Sequence, residues 1–333
     1  IICQYEMGAL EKVGMLKMDM LGLKTLTVIY DAVQMIKHRK GVTLDMDTLA
    51  LDDPAVYALL RRGRTAGVFQ FESPLATDTL RAMKCDRFDD LVASNALLRP
   101  GPLDAGMHTV FIRRKLGQEA VSYLHPALEP ILANTMGVLL FQEQVLRVAR
   151  EVAGLSWAQA DRLRHGMGHF GHGEMAALEA QFVAGCRRPL PEGPGMNRQQ
   201  AETLWQQVLA FAGYGFNQGH ATSYALVSYR SAYLKAHWPA AFFCARLAEW
   251  GGFHHPAIYM AEARRLGIAV RPPHVNHSGS RFRLEIEGDR PVLWMGLGQV
   301  LDVRRESVRA LVAGRRYRPF VCLRDLLARL FLH

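Results

Sequence analysis

Val145, Val148, Ala149 and Val152 recur at i, i+3, i+4 and i+7, with Arg147 and Arg150 on the other side. That spacing lays one apolar stripe along a helix and leaves the opposite face polar. It dictates a chain of amphipathic helices that must pack on one another. Further helices are expected at 24–39, after Gly22, and at about 198–212 and 221–237, the last limited by Pro239. Ser156 reads as the N-cap of another, which carries Arg162 and Arg164. Alternation of period two is confined to two places. Leu16, Met18 and Met20 alternate with Lys17 and Asp19, the pattern of a half-buried strand, and Phe282, Leu284 and Ile286 suggest a small strand pair. The expected fold class is therefore mainly α with small β elements (α+β).

The connections are polar or rich in proline. Asp45, Asp47, Asp52, Asp53 and Pro54 mark one, and the segment 95–103, NALLRPGPL, must turn. Residues Cys186 to Asn197 form a surface loop with Pro189, Pro191, Gly193, Pro194 and Gly195. The run GYGFNQGH, 213–220, joins two long helices, and a basic helical tail closes the chain.

Half of the 333 residues are hydrophobic and 21% are charged, which excludes a disordered chain, a collagen-like chain and a coiled coil. No apolar run reaches the roughly 18 residues of a membrane span. Forty Lys and Arg against 31 Asp and Glu leave a net charge of +9, a balance that favours a polyanionic partner. Cys3, Cys85, Cys186, Cys244 and Cys322 are odd in number and widely spaced, as expected for reduced thiols in the cytoplasm. The chain begins Ile1-Ile2 without a leader and ends at His333 inside a helical pattern, so it is expected to be a segment of a longer protein.

Several constellations could carry chemistry. Lys17 and Asp19 would project from one face of a strand about 6–7 Å apart. They could bind a divalent metal and a phosphate, or form an ordinary ion pair. Arg162, Arg164 and His165 precede Gly166-Met167-Gly168 and suit phosphate, or simply a helix C-terminus. His165, His169 and His172 invite a zinc site, but no Cys or carboxylate completes the set and the glycines around them make a poor scaffold. Tyr214 to His220 combine aromatics, an amide and an imidazole before a helix start, suited to a base or sugar or to a plain helical turn.

Six segments together resemble the bacterial DNA polymerase III alpha subunit family, the C-family replicative polymerases. They are LKMDMLGLKTLT (16–27), GVFQFES (67–73), NALLRPGPL (95–103), GVLLFQEQV (137–145), ADRLRHGMG (160–168) and FAGYGFNQGHATSYALVSYRSAYLKAHWPAAF (211–242), in the family's order and at its approximate spacing. The resemblance implies residues 1–24 as the end of the palm with its last strand, 25–270 as the fingers, and 271–333 as a small strand pair and the start of a helix-hairpin-helix-like region. It implies Asp19 as a catalytic metal ligand for Mg²⁺ and Lys17 as a catalytic partner near the reacting phosphates. Arg164 and His165 fall where the family has two arginines facing the incoming triphosphate, and Asn217 and His220 fall in a turn beside the nucleotide sugar. Arg99, Arg147, Arg150 and Lys235 are the expected DNA contacts.

The chain departs from the family in places. The family's R-R-A-M-G-K-K is Arg164 to Phe170 here, RHGMGHF, and Leu301-Asp302-Val303 replace hairpin glycines. The function implied is part of a DNA-templated DNA polymerase, inactive as this segment alone. Its partners would be primer–template DNA and deoxynucleoside triphosphates, with a sliding clamp and other replicase subunits bound through regions outside the chain. The alternatives are a non-catalytic DNA-binding module and an error-prone, mutasome-type paralogue.

Overall fold

Side-chain caps set where a few of the helices begin. The computed structural model describes residues 3–16, 18, 22–164, 173–212, 215–249 and 251–330. Helix α1 (Met7–Lys12) buries no residue, and α2 (Lys24–Lys40) stops at Gly41, whose positive φ of 69° suits glycine. In α3 (Pro54–Arg61) Asp53 accepts from the amides of Ala55 and Val56 at 2.8 and 3.0 Å, and in α4 (Pro74–Ala82) Ser73 accepts from Ala76 at 3.2 Å. Then come α5 (Phe88–Leu97), α6 (Pro100–Asp104), α7 (Met107–Lys115) and the short α8 (Glu129–Leu132). Helix α9 (Gln142–Arg147) runs into a single π turn over Val148–Val152, where the Ala153 amide bonds the Val148 carbonyl at 3.0 Å. All four residues of the expected apolar stripe are buried there.

Helices α10 (Trp157–Arg164), α11 (Glu174–Cys186), α12 (Arg198–Ala212), α13 (Gln218–His237), α14 (Pro239–Ala248) and α15 (Pro256–Arg265) complete the helical body. Ser156 does cap α10, accepting from Gln159 at 3.3 Å while the Gln159 side chain accepts from the Ser156 amide at 2.9 Å. The expected strand pair is a three-stranded sheet in the order β1 (Ala269–Arg271), β3 (Arg290–Trp294), β2 (Arg283–Glu287). β2 and β3 pair antiparallel, with Glu287 opposite Arg290, and β1 lies parallel to β3, with Val270 opposite Leu293. β1 has only three residues, too short for an alternation to show in the sequence. Helices α16 (Arg305–Gly314) and α17 (Leu323–Leu330) follow.

The strand expected over 14–21 falls partly outside the described residues. Among the described residues 14–16 and 18 none belongs to a strand, and Leu16 and Met18 are 81% and 70% exposed. Lys17, Asp19 and Met20 lie outside the described residues, as does Leu21.

Three cores hold the body together. The first joins α3, α4 and α5 to α13 through Leu60, Leu80, Leu91 and Tyr229, and the second joins α8 to α12 around Trp205 and Phe182, whose rings lie 5.3 Å apart. The third packs α2, α14 and α15 on the sheet. Helix α13 belongs to two of them. Its Ala221, Ala225, Ser228 and Ala232 form a small-residue face that is fully buried, and Leu234 enters the third core. The Tyr229 hydroxyl accepts from the Asp53 amide and donates to the Ala50 carbonyl, both at 2.9 Å, tying the 50–53 loop to this helix.

Lys235 corrects an expectation. The family resemblance implies a DNA contact, but its side chain is buried. Its Nζ donates to the carbonyls of Arg64 and Ala66 at 2.6 and 2.8 Å and lies 3.0 Å from the Glu262 carboxylate. Burial pulls its pKa down from 10.5 to about 8.

Buried thiols make the fold sensitive to alkali. Burial raises Cys85 far above the ordinary 9.0 and pushes Cys186 and Cys244 up to about 12. Each thiol therefore contributes stability that is intact below pH 9 and is lost as pH rises toward the folded pKa, at up to ~1.4 kcal/mol per pH unit. Tyr57, Tyr229 and Tyr259, raised by burial, act in the same direction, while Lys235 acts oppositely between pH 8 and 10.5. Urea unfolding under reducing conditions should show stability falling from pH 9 to 11. A Cys186→Ala, Cys244→Ala variant should show a shallower fall.

Candidate functional site

Gly137 to Phe141 is an apolar run that ends at a helix start, and Gly215-Phe216-Asn217 precedes another. The two segments pair in parallel at Phe141 and Phe216. The Phe216 amide bonds the Leu140 carbonyl at 3.2 Å, and the Gln142 amide bonds the Phe216 carbonyl at 3.0 Å. Gly215 permits the approach, because a Cβ there would stand 3.0 Å from both Gln142 Cγ and a Phe211 ring carbon. The pairing sets the starts of α9 and α13 side by side.

Their first residues lock together. Asn217 caps α13, its Oδ1 accepting from the His220 amide at 2.7 Å, and its Nδ2 donates to Glu143 Oε1 at 2.9 Å. The other Glu143 oxygen accepts from the Gln218 amide at 2.9 Å. A carboxylate thus meets the positive end of a 20-residue helix. Gln144 fastens the same strand from behind. Its Oε1 accepts from the amides of Leu140 and Phe141, and its Nε2 donates to Thr135 Oγ1 at 2.8 Å.

Two guanidinium groups flank this corner. Arg164, the last residue of α10, donates to Gln142 Oε1 at 3.1 Å and pairs with Asp161 at 2.9 Å, its side chain one quarter exposed. Arg99, exposed at the turn between α5 and α6, lies over the Phe216 ring at 4.5 Å from its centroid. Just behind it, Asn95 donates to the Ala221 carbonyl at 3.1 Å. The His220 ring stands 3.9 Å from that of Tyr224 and 5.4 Å from that of Phe216. Arg164, Arg99, Asn217 and His220 thus gather around one paired corner. Two cations, an imidazole and exposed aromatic edges can take an anion joined to a ring.

The other expected residues divide. Arg147 is held by Glu151 at 2.8 and 3.1 Å, which raises its pKa, and it also reaches the Pro130 carbonyl. Arg150 donates to the Leu155 carbonyl at 2.9 Å, lies over Trp157 and remains exposed. Lys235 is internal, as described above. Lys17, Asp19 and His165 lie outside the described residues, as do His169 and His172 of the zinc reading. Among the described residues no group of three or more His, Cys, Asp or Glu side chains could hold a metal ion. Nor is any helix there long and apolar enough to cross a membrane.

Gln142, Glu143 and the stacking of Arg99 on Phe216 escaped sequence reasoning. The run Gln142-Glu143-Gln144 signals only polar residues in a first helical turn, and nothing in it names a partner 74 residues away.

The chain as a whole is similar to known proteins. Residues 25–189 match the family model described as the bacterial DNA polymerase III alpha subunit finger domain, and 267–333 match a helix-hairpin-helix motif. The chain is 44% identical over 338 aligned residues to DNA polymerase III subunit alpha of Thermus aquaticus, covering 99% of this chain and 27% of that protein. The proteins of the same name from Aquifex aeolicus and Helicobacter pylori (strain J99) are 39% and 37% identical, over 98% and 99% of this chain. The chain spans 27–28% of the length of these three relatives.

The Glu143 contacts are open to measurement. Glu143→Gln should destabilise the protein by ~1–2 kcal/mol and Asn217→Ala by ~1 kcal/mol. Because the two side chains share a hydrogen bond, the double variant should lose less than the sum of the two in urea unfolding.

Proposed function

We propose, from the match of residues 25–189 to the finger-domain model of the bacterial DNA polymerase III alpha subunit, that this chain forms part of a DNA-templated DNA polymerase and supplies its nucleotide-facing surface. The gathering of Arg164, Arg99, Asn217 and His220 at the paired starts of α9 and α13 carries the reading. The full protein would extend a primer 3′-hydroxyl with deoxynucleotides.

In this reading Arg164 meets the triphosphate. Its guanidinium is held by Asp161 and Gln142, which orient two of its edges before a ligand arrives. Phosphate oxygens would replace the Asp161 carboxylate in the same charge-assisted geometry. His220 and Tyr224 present ring faces beside the sugar, and Asn217 keeps the turn in place while Glu143 holds its amide. Arg99 carries its charge out over Phe216, and with Arg150 and Arg147 it would follow the template backbone. The described residues offer no ligand set for Mg²⁺. The carboxylate expected to bind it, Asp19, lies outside them, so their contribution is charge and positioning.

In the full-length protein, Arg164→Ala should lower kcat/KM for the incoming nucleotide by ~2–3 kcal/mol, and Arg164→Lys should recover only part of the loss. Steady-state kinetics indistinguishable from the parent would sink the assignment.

Binding of primer–template DNA should be independent of sequence and weaken steeply with salt, since it would rest on counterion release. Fluorescence anisotropy between 50 and 200 mM salt checks this, with a loss on the order of tenfold or more expected for a few phosphate contacts. Arg99→Ala should reduce the salt slope.

A further inference from the structure

Helix α2 ends in Lys37-His38-Arg39-Lys40, and its last turn walls a cleft of about 630 Å³. The floor is apolar and includes Trp238, Ile268, Leu284 and Ile286. Cations in a last helical turn stabilise the helix dipole, which accounts for their place on α2. It does not account for an apolar floor left open beside them.

Three observations bear on what the cleft takes. First, the side chains of Arg39 and Lys40 are exposed and make no hydrogen bond or ion pair among the described residues, and Asp289 is the one acid among the described lining residues. His237, also on the lining, is engaged with Asp53 at 2.9 Å. Second, the apolar stripe of β2 is covered at one end only. Phe282 and Leu284 are 8% and 6% exposed, while Ile286, on the same face, is 44% exposed and borders the cleft. Third, Trp and Arg are the side chains that most often carry the binding energy of a protein contact, and both stand here within one cleft.

We propose that this cleft docks an acidic peptide segment of a partner protein, with a bulky apolar side chain on the Trp238–Ile286 floor and carboxylates against Arg39 and Lys40. The charges are complementary, and the apolar floor would gain from a side chain that excludes water. A nucleic-acid backbone would satisfy the cations and leave the floor uncovered. The inference stands apart from the polymerase reading, since none of these residues belongs to the corner around Arg164.

The test uses the whole protein and a fluorescein-labelled octapeptide of alternating glutamate and leucine, followed by anisotropy. Two further octapeptides, glutamate with serine and lysine with leucine, separate charge from apolar content. The glutamate–leucine peptide should bind saturably, and both others at least about tenfold more weakly. Arg39→Glu with Lys40→Glu, and separately Ile286→Ser, should each weaken binding by about tenfold or more in protein that still unfolds cooperatively. Arg304→Glu with Arg305→Glu, on the surface at α16, should leave it intact. The proposal fails if the glutamate–leucine peptide shows no saturable binding or the cleft variants bind it like the parent. It also fails if glutamate–serine binds equally well, or if a single-stranded oligonucleotide binds more tightly and loses affinity in the same variants.

Discussion

The close approach of α13 to α5 is the contact on which the rest of the structure depends. Ala221, Ala225, Ser228 and Ala232 give α13 a face without bulk, and Ala93 and Ala96 stand among the buried residues of α5 in the same core. Small residues on both sides let two backbones come close. The buried hydroxyls are satisfied within the helix, Ser228 donating to the Tyr224 carbonyl and Ser231 to that of Ser228, each at 2.8 Å. A larger side chain at Ala225 would wedge α5 outward. The displacement would carry Asn95 off the Ala221 carbonyl and, four residues on, Arg99 off Phe216. The geometry of the candidate site is thus inherited from a packing distance set well behind it.

A buried charge performs a second joining role. Lys235 sits where α13, α15 and the 64–66 turn meet, and its three donors are taken by two carbonyls and a carboxylate. Desolvation opposes the ammonium, as its lowered pKa records, and the ion pair with Glu262 offsets part of that cost. Removing Lys235 would strand two carbonyls and a partly buried acid together, so its place is sustained by satisfaction of polar groups rather than by net attraction. On the other side of Glu262, Arg265 donates at 2.6 and 2.8 Å, and with Lys235 it keeps that carboxyl ionised against burial.

The site corner shows how electrostatics and backbone pairing cooperate. One bridge between Phe141 and Phe216 aligns two helix starts, and at the head of α13 Glu143 accepts from the Gln218 amide while Asn217 accepts from that of His220. With that helix end already satisfied, the ligand-facing charge rests with side chains, chiefly Arg164 and Arg99. Their accessibility comes from position at element ends. Arg164 closes α10, and Arg99 lies at the turn imposed by Pro100 and Pro102.

The class of fold and much of its punctuation follow from local residue patterns. The 3.6-residue period of Val145 to Val152, the cap at Ser156 and the limit at Pro239 are local physics, and the helices obey them. Arg164, Asn217 and His220 were legible as candidates because short motifs carried them. The alternation over 14–21, whose described Leu16 and Met18 lie exposed, shows the limit of such patterns: it states a preference for a half-buried face without showing what would bury it. It took the folded chain to bring Glu143 to Asn217 across 74 residues, to lay Arg99 over Phe216 and to turn Lys235 inward. Periodicity tells which side of an element is apolar. It does not tell which element will face it, and a charge reveals burial only when its partners, distant in the chain, have been brought within a hydrogen bond.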